Sequence, residues 1–401
     1  MILAYEYKQF RYIIPKDVQL ATLIFIIHMS RKTIFNNSGG LVMTMCILLN
    51  LYIVYKNKRF IVEAIKGTKA IIYYCVFAGF SFLWAIKADV STIIGKDIEI
   101  LVSFLAIAVT LYKIKDLITC YYYVVVLVSL STLMGFSRGL LLGAMHTNVY
   151  SISAFVGFIL SLNLWNNYKM SDMKNYMIFN FVAFVLGTSS ASYVAGIIAV
   201  CIYISSTKNG LRITNIIFAL LGIIIIYYFF TDFINSSVFR GRTQAEIASG
   251  TGRDYIWEVF INAWKESPWL GWGYSIAERS MEEFKGGRTG YMSAHNGYLS
   301  LLINTGIIGF AIYCPIFIRS LYKGYQAGKR WVDPMIPIAL FSSFVGVLVN
   351  NYTYPILGSD WNYGFVGIMA LVILINTLES KTIEGNNDTL ETEEVNDGYH
   401  E

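Results

Sequence analysis

Charge is scarce in this chain. Only 14% of its 401 residues are Asp, Glu, Lys or Arg, while 56% are hydrophobic. Soluble globular proteins carry about 25% charged residues. A soluble core of this length would need more polar surface than that, so lipid must be part of the solvent. Cysteine is sparse too. Cys46, Cys75, Cys120, Cys201 and Cys314 lie scattered through apolar runs with no Cys-x-x-Cys pair. That excludes a disulfide framework and a cysteine metal site, and leaves the thiols as small packing groups.

Several catalytic signatures are missing. The sequence holds no P-loop, no His-Glu-x-x-His and no Gly-x-Ser-x-Gly. Gly271-Trp272-Gly273 follows no strand pattern and reads as a turn, not a nucleotide fingerprint. Acidic residues are rare within the apolar runs. Asp89, Asp97 and Asp360 stand at their edges, a thin set for an ion-coupled transporter, which needs carboxylates near the midplane. No cleavable signal peptide is expected: the first apolar run begins near Val18, with no small-residue cleavage site after it.

What the chain does have is apolar segments. Twelve are counted, at about 18–30, 40–55, 70–86, 98–112, 117–134, 148–164, 175–189, 191–206, 213–230, 296–321, 335–351 and 360–377. Some fall short of the roughly 20 residues a span needs, so their ends extend into flanking polar residues. The basic residues follow the positive-inside pattern with the N-terminus inside. Lys56, Lys58, Arg59, Lys66 and Lys69 occupy one inner loop, Lys113 and Lys115 the next, and Lys323, Lys329 and Arg330 a later one; Arg31-Lys32 runs against the pattern. The net charge of +5 hides an asymmetry: residues 378–401 hold eight acids and one lysine, leaving 30 basic and 18 acidic groups, or +12, on residues 1–377.

The expected architecture is an all-α polytopic membrane protein of about twelve transmembrane helices with one large external helical loop. Membrane helices 1–9 occupy 1–230, the external loop 231–294, membrane helices 10–12 occupy 295–377, and 378–401 is a disordered acidic cytoplasmic tail. Within the loop, Ile256, Phe260 and Trp264, with Trp257 and Ile261 alongside, predict an amphipathic helix over 253–266. Thr251 suits its N-cap and Pro268 its stop. Ser275 and Glu278 form a capping-box pattern for a second short helix ending at Gly286-Gly287. Four tryptophans between Trp257 and Trp272 suit a membrane interface.

Polar chemistry concentrates in and beside this loop. Arg240, Arg242, Arg253, Arg279 and Arg288 offer guanidinium forks that hold phosphate bidentately. The loop carries seven basic and eight acidic residues, so the arginines matter only if they converge; otherwise they are solvated or paired with Asp254, Glu258 or Glu278. His295, with Asn296 beside it, stands at the entrance to a long apolar helix. It could take a proton from a sugar hydroxyl, cap the helix, or hydrogen-bond a phosphate. A second external loop, 137–148, offers Arg138, His146 and Asn148, with Gly139 and Gly143 suggesting close packing or a broken helix. Asn163, Asn180, Asn304, Asn350 and Asn351 lie within apolar segments, where such residues face the bundle interior and join helices.

Three pieces together resemble a known family: Arg253…Trp257…Pro268-Trp269-Leu270-Gly271-Trp272-Gly273, then His295-Asn296-Gly297-Tyr298-Leu299, then Gly306-Ile307-Ile308-Gly309. This looks like the O-antigen ligase/polymerase superfamily, the Wzy and WaaL type, and Arg138-Gly139 with Gly143, His146 and Asn148 resembles its upstream external motif. Members often show a Ser-Arg pair at the outer start of the helix matching 190–206. Here the stretch reads Thr188-Ser189-Ser190-Ala191-Ser192 without an arginine.

The resemblance implies a GT-C-like fold and a glycosyltransferase that needs neither metal nor cofactor. Its donor would be an oligosaccharide on undecaprenyl pyrophosphate, transferred to a sugar hydroxyl at the outer face of a bacterial plasma membrane. Arg138 and Arg253, with Arg240 and Arg242, would hold the pyrophosphate. His295 would activate the acceptor or steady the leaving group, and His146, Asn148 and Asn296 are acceptor-side or structural candidates. An activated donor leaves the protein mainly to position it, neutralise charge and take one proton. Polymerisation of repeat units into capsule, exopolysaccharide or O-antigen ranks first. Transfer of finished glycan to another acceptor ranks second, and a polysaccharide or lipid transporter is the rival of a different class; a membrane scaffold or sensor working through its acidic tail is a further one. The bilayer, a flippase and a chain-length regulator are the expected partners, and nucleic acid is not.

Overall fold

The structure is a computed structural model, and it describes residues 15–34, 39–87, 89–142, 147–187, 189–207, 212, 217, 253–280, 293–357 and 364–396. Among the described residues every regular element is a helix. In chain order these are α1 (Lys16–Ile34), α2 (Gly39–Lys56), α3 (Ile61–Ala64), α4 (Lys69–Phe80), α5 (Val90–Lys113), α6 (Leu117–Leu142) and α7 (Thr147–Asn167). Then come α8 (Met173–Leu186), α9 (Ser190–Ser206), α10 (Arg253–Glu266), α11 (Ala277–Ser280), α12 (Gly297–Arg330), α13 (Met335–Asn351) and α14 (Phe365–Asn396). Short 3-10 turns at Lys58–Phe60 and Ser81–Leu83 complete the set.

Caps mark where several helices begin. Asp89 Oδ1 accepts from Thr92 N at 3.0 Å to open α5, and Ser189 Oγ accepts from Ser192 N at 3.3 Å to open α9. Each satisfies an amide that has no partner within its helix. α7 packs on α6 and α8, α13 on α9 and α12, and α14 on α6 and α5. α14 is the central helix: from Val366 to Ile375 every hydrophobic side chain is buried. A helix apolar on all sides belongs inside a bundle.

Other helices turn apolar faces outward. On α2, Leu41, Met45, Leu48, Tyr52 and Tyr55 are exposed at one-turn spacing, and on α8 so are Ile178, Phe181, Val182, Val185 and Leu186. Stripes of this extent would be costly in water and fit a hydrocarbon surround. Among the described residues the chain is all-helical, and these faces mark it as a membrane protein.

The twelve-span expectation meets a smaller number here. Eleven of the twelve apolar segments fall on helices, while 213–230 lies outside the described residues apart from 217. By length and composition, however, two helices can cross a membrane, at Leu117–Ser137 and Gly297–Arg330, or three if the bent pair Gly40–Lys56 and Lys58–Ala64 is one span. Length is one reason and charge another: α5 has 24 residues but carries Lys96, Asp97, Glu99 and Lys113. The 14 residues of α8 rise about 21 Å, short of the roughly 30 Å hydrocarbon core. Two further boundaries differ. α6 continues through Arg138 to Leu142, so Arg138 stands on a helix and not in a loop, and Asn148 lies in the first turn of α7. α14 continues to Asn396, into the segment expected to be disordered; extending a helix already nucleated by packing costs little.

The interior is glued by amides, as the sequence suggests. Asn163 Nδ2 donates to Met335 O at 3.0 Å and Tyr203 Oη at 3.3 Å. Asn180 Nδ2 reaches Ser129 Oγ at 2.8 Å, and Asn350 Nδ2 reaches Ser192 Oγ at 2.8 Å. The sequence did not lead one to expect the fully buried pair of His28 Nε2 and Glu99 Oε1 at 2.9 Å, with Lys96 Nζ 3.5 Å from Glu99 Oε2. It joins α1 to α5.

Candidate functional site

The region from Arg253 to Gly309 is organised by α10, and the helix has the predicted bounds of 253–266. Its buried face is Ile256, Phe260 and Ala263, packed against Ala277, Ala294, Leu299 and Ile303, with Trp257, Trp264 and Trp272 around them. Ile261 falls off this face and is exposed. This small cluster docks α10 on the first turns of α12.

Beyond α10 the segment Pro268–Gly273 completes a break in α12. Gly306 sits there at φ 64°, ψ −169°, a conformation inside the long helix that is not helical and is essentially confined to glycine. The break frees carbonyls before it and amides after it, and each of the four finds a partner in the loop. Trp272 N donates to Ile303 O at 2.8 Å and Gly273 N to Asn304 O at 3.1 Å. Ile307 N donates to Pro268 O at 2.8 Å and Ile308 N to Trp269 O at 3.2 Å. The loop backbone thus replaces the missing helix turn. It explains two glycines: a Cβ on Gly271 would lie 2.6 Å from Ile303 O, and one on Gly306 would lie 2.2 Å from Trp269 O. The same loop is tied to the 3-10 turn at Ser81–Leu83 and its sequel. Trp84 Nε1 donates to Leu270 O at 3.0 Å, Ile86 N to Trp272 O at 3.0 Å and Tyr274 N to Ser81 Oγ at 2.8 Å.

Three of the four tryptophans expected at a membrane interface are turned to the protein instead. Trp257 Nε1 donates to Ala294 O at 2.9 Å, Trp264 Nε1 to Pro268 O at 3.3 Å and Trp272 Nε1 to Ala263 O at 2.8 Å. Trp269 keeps 64% of its surface exposed. The indoles were needed to tie the loop together because its carbonyls lie outside any helix ladder.

His295 follows directly. It is half-buried and adopts φ 48°, a left-handed conformation uncommon outside glycine. Its amide donates to Ser293 Oγ at 3.2 Å. Ala294 before it is fully buried. Asn296 after it is the N-cap of α12: its Oδ1 accepts from Tyr298 N at 3.0 Å and Leu299 N at 3.1 Å. Of the roles open to Asn296, the structure displays the structural one. Gly297 lies against Asn351, where a Cβ would come within 2.3 Å of Oδ1. Asn351 Oδ1 also accepts from Ile356 N at 2.9 Å and Leu357 N at 3.0 Å.

The remaining candidates are placed as follows. Arg253 is the first residue of α10, one turn before Trp257, and Arg279 lies in α11. Arg138 is in the last two turns of α6 and Asn148 in the first turn of α7. His146, Arg240, Arg242 and Arg288 lie outside the described residues. At the start of α9, where the resemblance led one to expect an arginine, Ser192 is held by Asn350. Trp257 and Glu278 are the site neighbours whose contacts the sequence reading missed. The Glu278 carboxylate accepts from the Ser300 hydroxyl in the first turns of α12, a partner 22 residues away that a local capping pattern does not reveal.

Residues 176–314 match the family model described as O-Antigen ligase, Wzy_C. That stretch contains Arg253, Trp257, the Gly306 break and His295, and leaves out Arg138. Over that stretch, about a third of its length, the chain is similar to the O-antigen ligase family, in agreement with the motifs quoted from the sequence. The chain is also 34% identical over 80 residues to the exopolysaccharide production protein ExoQ of Rhizobium meliloti (strain 1021). That match covers 18% of this chain and 18% of that protein's length.

Proposed function

We propose that this protein is a membrane glycosyltransferase of surface polysaccharide biosynthesis, polymerising undecaprenyl-pyrophosphate-linked repeat units. The observation that carries the reading is His295 held in a left-handed turn at the mouth of α12, beside the helix that Arg253 opens. Around it we place twelve spans in a bacterial plasma membrane, with the termini cytoplasmic and 231–294 external. Arg253 and Arg138, with Arg240 and Arg242, hold the donor pyrophosphate. His295 takes the proton of the acceptor hydroxyl or steadies the leaving group. The lipid-linked donor is already activated, so positioning and charge neutralisation do most of the work, and we assign no metal or cofactor. A flippase that delivers the donor and a chain-length regulator are the fitting partners. The relative's printed name, exopolysaccharide production, favours a polymer product. The family description, O-Antigen ligase, favours the second reading, transfer of finished glycan to another acceptor.

A deletion strain of the producing organism tests both, with glycan length read on a gel. Single-repeat glycans are expected for a polymerase. Long polymer left on the lipid carrier would indicate the ligase, and repeats trapped on the inner leaflet a transporter. In complementation, Arg253→Lys keeps the charge but loses the bidentate fork, and His295→Ala removes a proton acceptor worth about 10²–10⁴-fold in rate. Both are expected to give shortened or no polymer; full-length polymer from both would sink the assigned roles.

A further inference from the structure

We infer that Trp257 is a positioning residue for His295, a role that rests on the catalytic reading of that histidine. A histidine at φ 48° is in a conformation that persists only where its surroundings over-determine it. φ describes how the residue is turned about its N–Cα bond relative to the peptide plane before it. That plane is the Ala294–His295 peptide, which carries the Ala294 carbonyl on one edge and the His295 amide on the other.

Both edges are held. The amide donates to Ser293 Oγ at 3.2 Å, and the carbonyl accepts from Trp257 Nε1 at 2.9 Å. On the far side of His295, Asn296 is fixed as the N-cap of α12. The Ser293 and Asn296 contacts are local to the turn. The Trp257 contact comes from α10, so it ties the direction of His295 to the helix that begins at Arg253.

Trp257 is itself well placed to do this. Its ring meets Tyr352, at the end of α13, edge-on with centroids 5.1 Å apart and planes at 70°. It also borders the buried cluster of Ile256, Phe260 and Ala294. An indole gripped from two sides offers its N–H in one direction. Three elements, α10, the turn before α12 and the end of α13, therefore meet at one side chain. Since a displacement of about 1 Å can cost 10²-fold in rate, the consequence of losing this bond falls on catalysis more than on binding.

The test uses the full-length protein in detergent or nanodiscs. Its donor is lipid-pyrophosphate-linked repeat units purified from the deletion strain. Trp257→Phe keeps an apolar ring against Tyr352 and removes the N–H. We expect kcat to fall about 10- to 100-fold with KM within about twofold, and the amount of folded protein in membranes to match wild type. In combination with His295→Gln the loss should vanish, the double variant being no slower than His295→Gln alone, because coupled sites are not additive. A readout independent of turnover is carbethoxylation of His295 by diethyl pyrocarbonate, followed by mass spectrometry; its rate should change several-fold in Trp257→Phe.

Wild-type kcat and wild-type labelling in Trp257→Phe overturn the inference, as do losses that multiply in the double variant. Wild-type turnover in His295→Ala, with His295 labelling still altered by Trp257→Phe, would instead remove the catalytic reading while supporting the positional one.

Discussion

Asn296 shows how one residue type can carry two readings that only its contacts separate. As an acceptor-side group it would aim its amide at a sugar. In the structure its oxygen is spent on the amides of Tyr298 and Leu299, the ordinary work of an N-cap. Replacing a capping Asn by Ala costs about 0.5–2 kcal/mol. Asn296→Ala should lower the unfolding midpoint of the purified protein, whereas Asn296→Asp, which keeps the accepting oxygen, should restore it. A variant that loses activity with an unchanged midpoint would return Asn296 to the acceptor side. His295 next to it was legible from the sequence as a polar residue at the mouth of an apolar helix. Its left-handed φ and its tie to Trp257 were not, because they depend on a helix that begins 42 residues earlier.

At the scale of elements, the break in α12 and the Pro268–Gly273 loop are one structure. Four backbone groups in the helix and four in the loop satisfy each other. In a hydrocarbon surround each unsatisfied backbone group costs several kcal/mol, so neither half persists without the other. The Gly306-Ile307-Ile308-Gly309 motif can be read in the sequence, but which backbone would fill the gap cannot. Gly306→Ala puts a Cβ 2.2 Å from Trp269 O and forces a glycine-only conformation worth about 1–3 kcal/mol on its own. We expect it to detach the loop from α12. Proteolysis between 266 and 275 should then accelerate, and membrane abundance should fall. A Cβ on Gly309 would lie 2.2 Å from Thr305 Oγ1 and 2.3 Å from Thr305 Cβ, within α12 and not against the loop, so Gly309→Ala is expected to lower abundance without the same acceleration of loop cleavage.

For the whole molecule, the exposed stripes are the informative feature. Leu41, Met45, Leu48, Tyr52 and Tyr55 form one face of α2, on which burial within the protein plays no part. If lipid covers it, a nitroxide at residue 48 should relax strongly with dissolved oxygen and weakly with a water-soluble nickel chelate. A nitroxide at residue 59, in the basic turn after α2, should show the reverse. Equal access of the nickel chelate to residue 48 would move α2 out of the bilayer. The buried His28–Glu99 pair joins α1 to α5 in the same half of the bundle, where the sequence reading found no intramembrane acid of note. It was hidden because Glu99 lies only one residue inside the apolar segment at 98–112, where a long side chain would ordinarily reach water.

Composition and periodicity alone determined that this chain lives in lipid, that it is helical, where α10 begins and ends, and that its polar chemistry gathers between 253 and 309. These properties are local or additive: transfer free energy sums over residues, and amphipathic spacing is read within a single helix. The tertiary structure decided the rest. It set the pairing of loop with broken helix, turned three tryptophans from an expected lipid interface to backbone carbonyls, made Asn296 a cap, and brought Trp257 to the peptide of His295. Each of these joins groups distant in sequence through backbone atoms that every residue shares. No residue type announces such a partner, and only the folded path of the chain selects it.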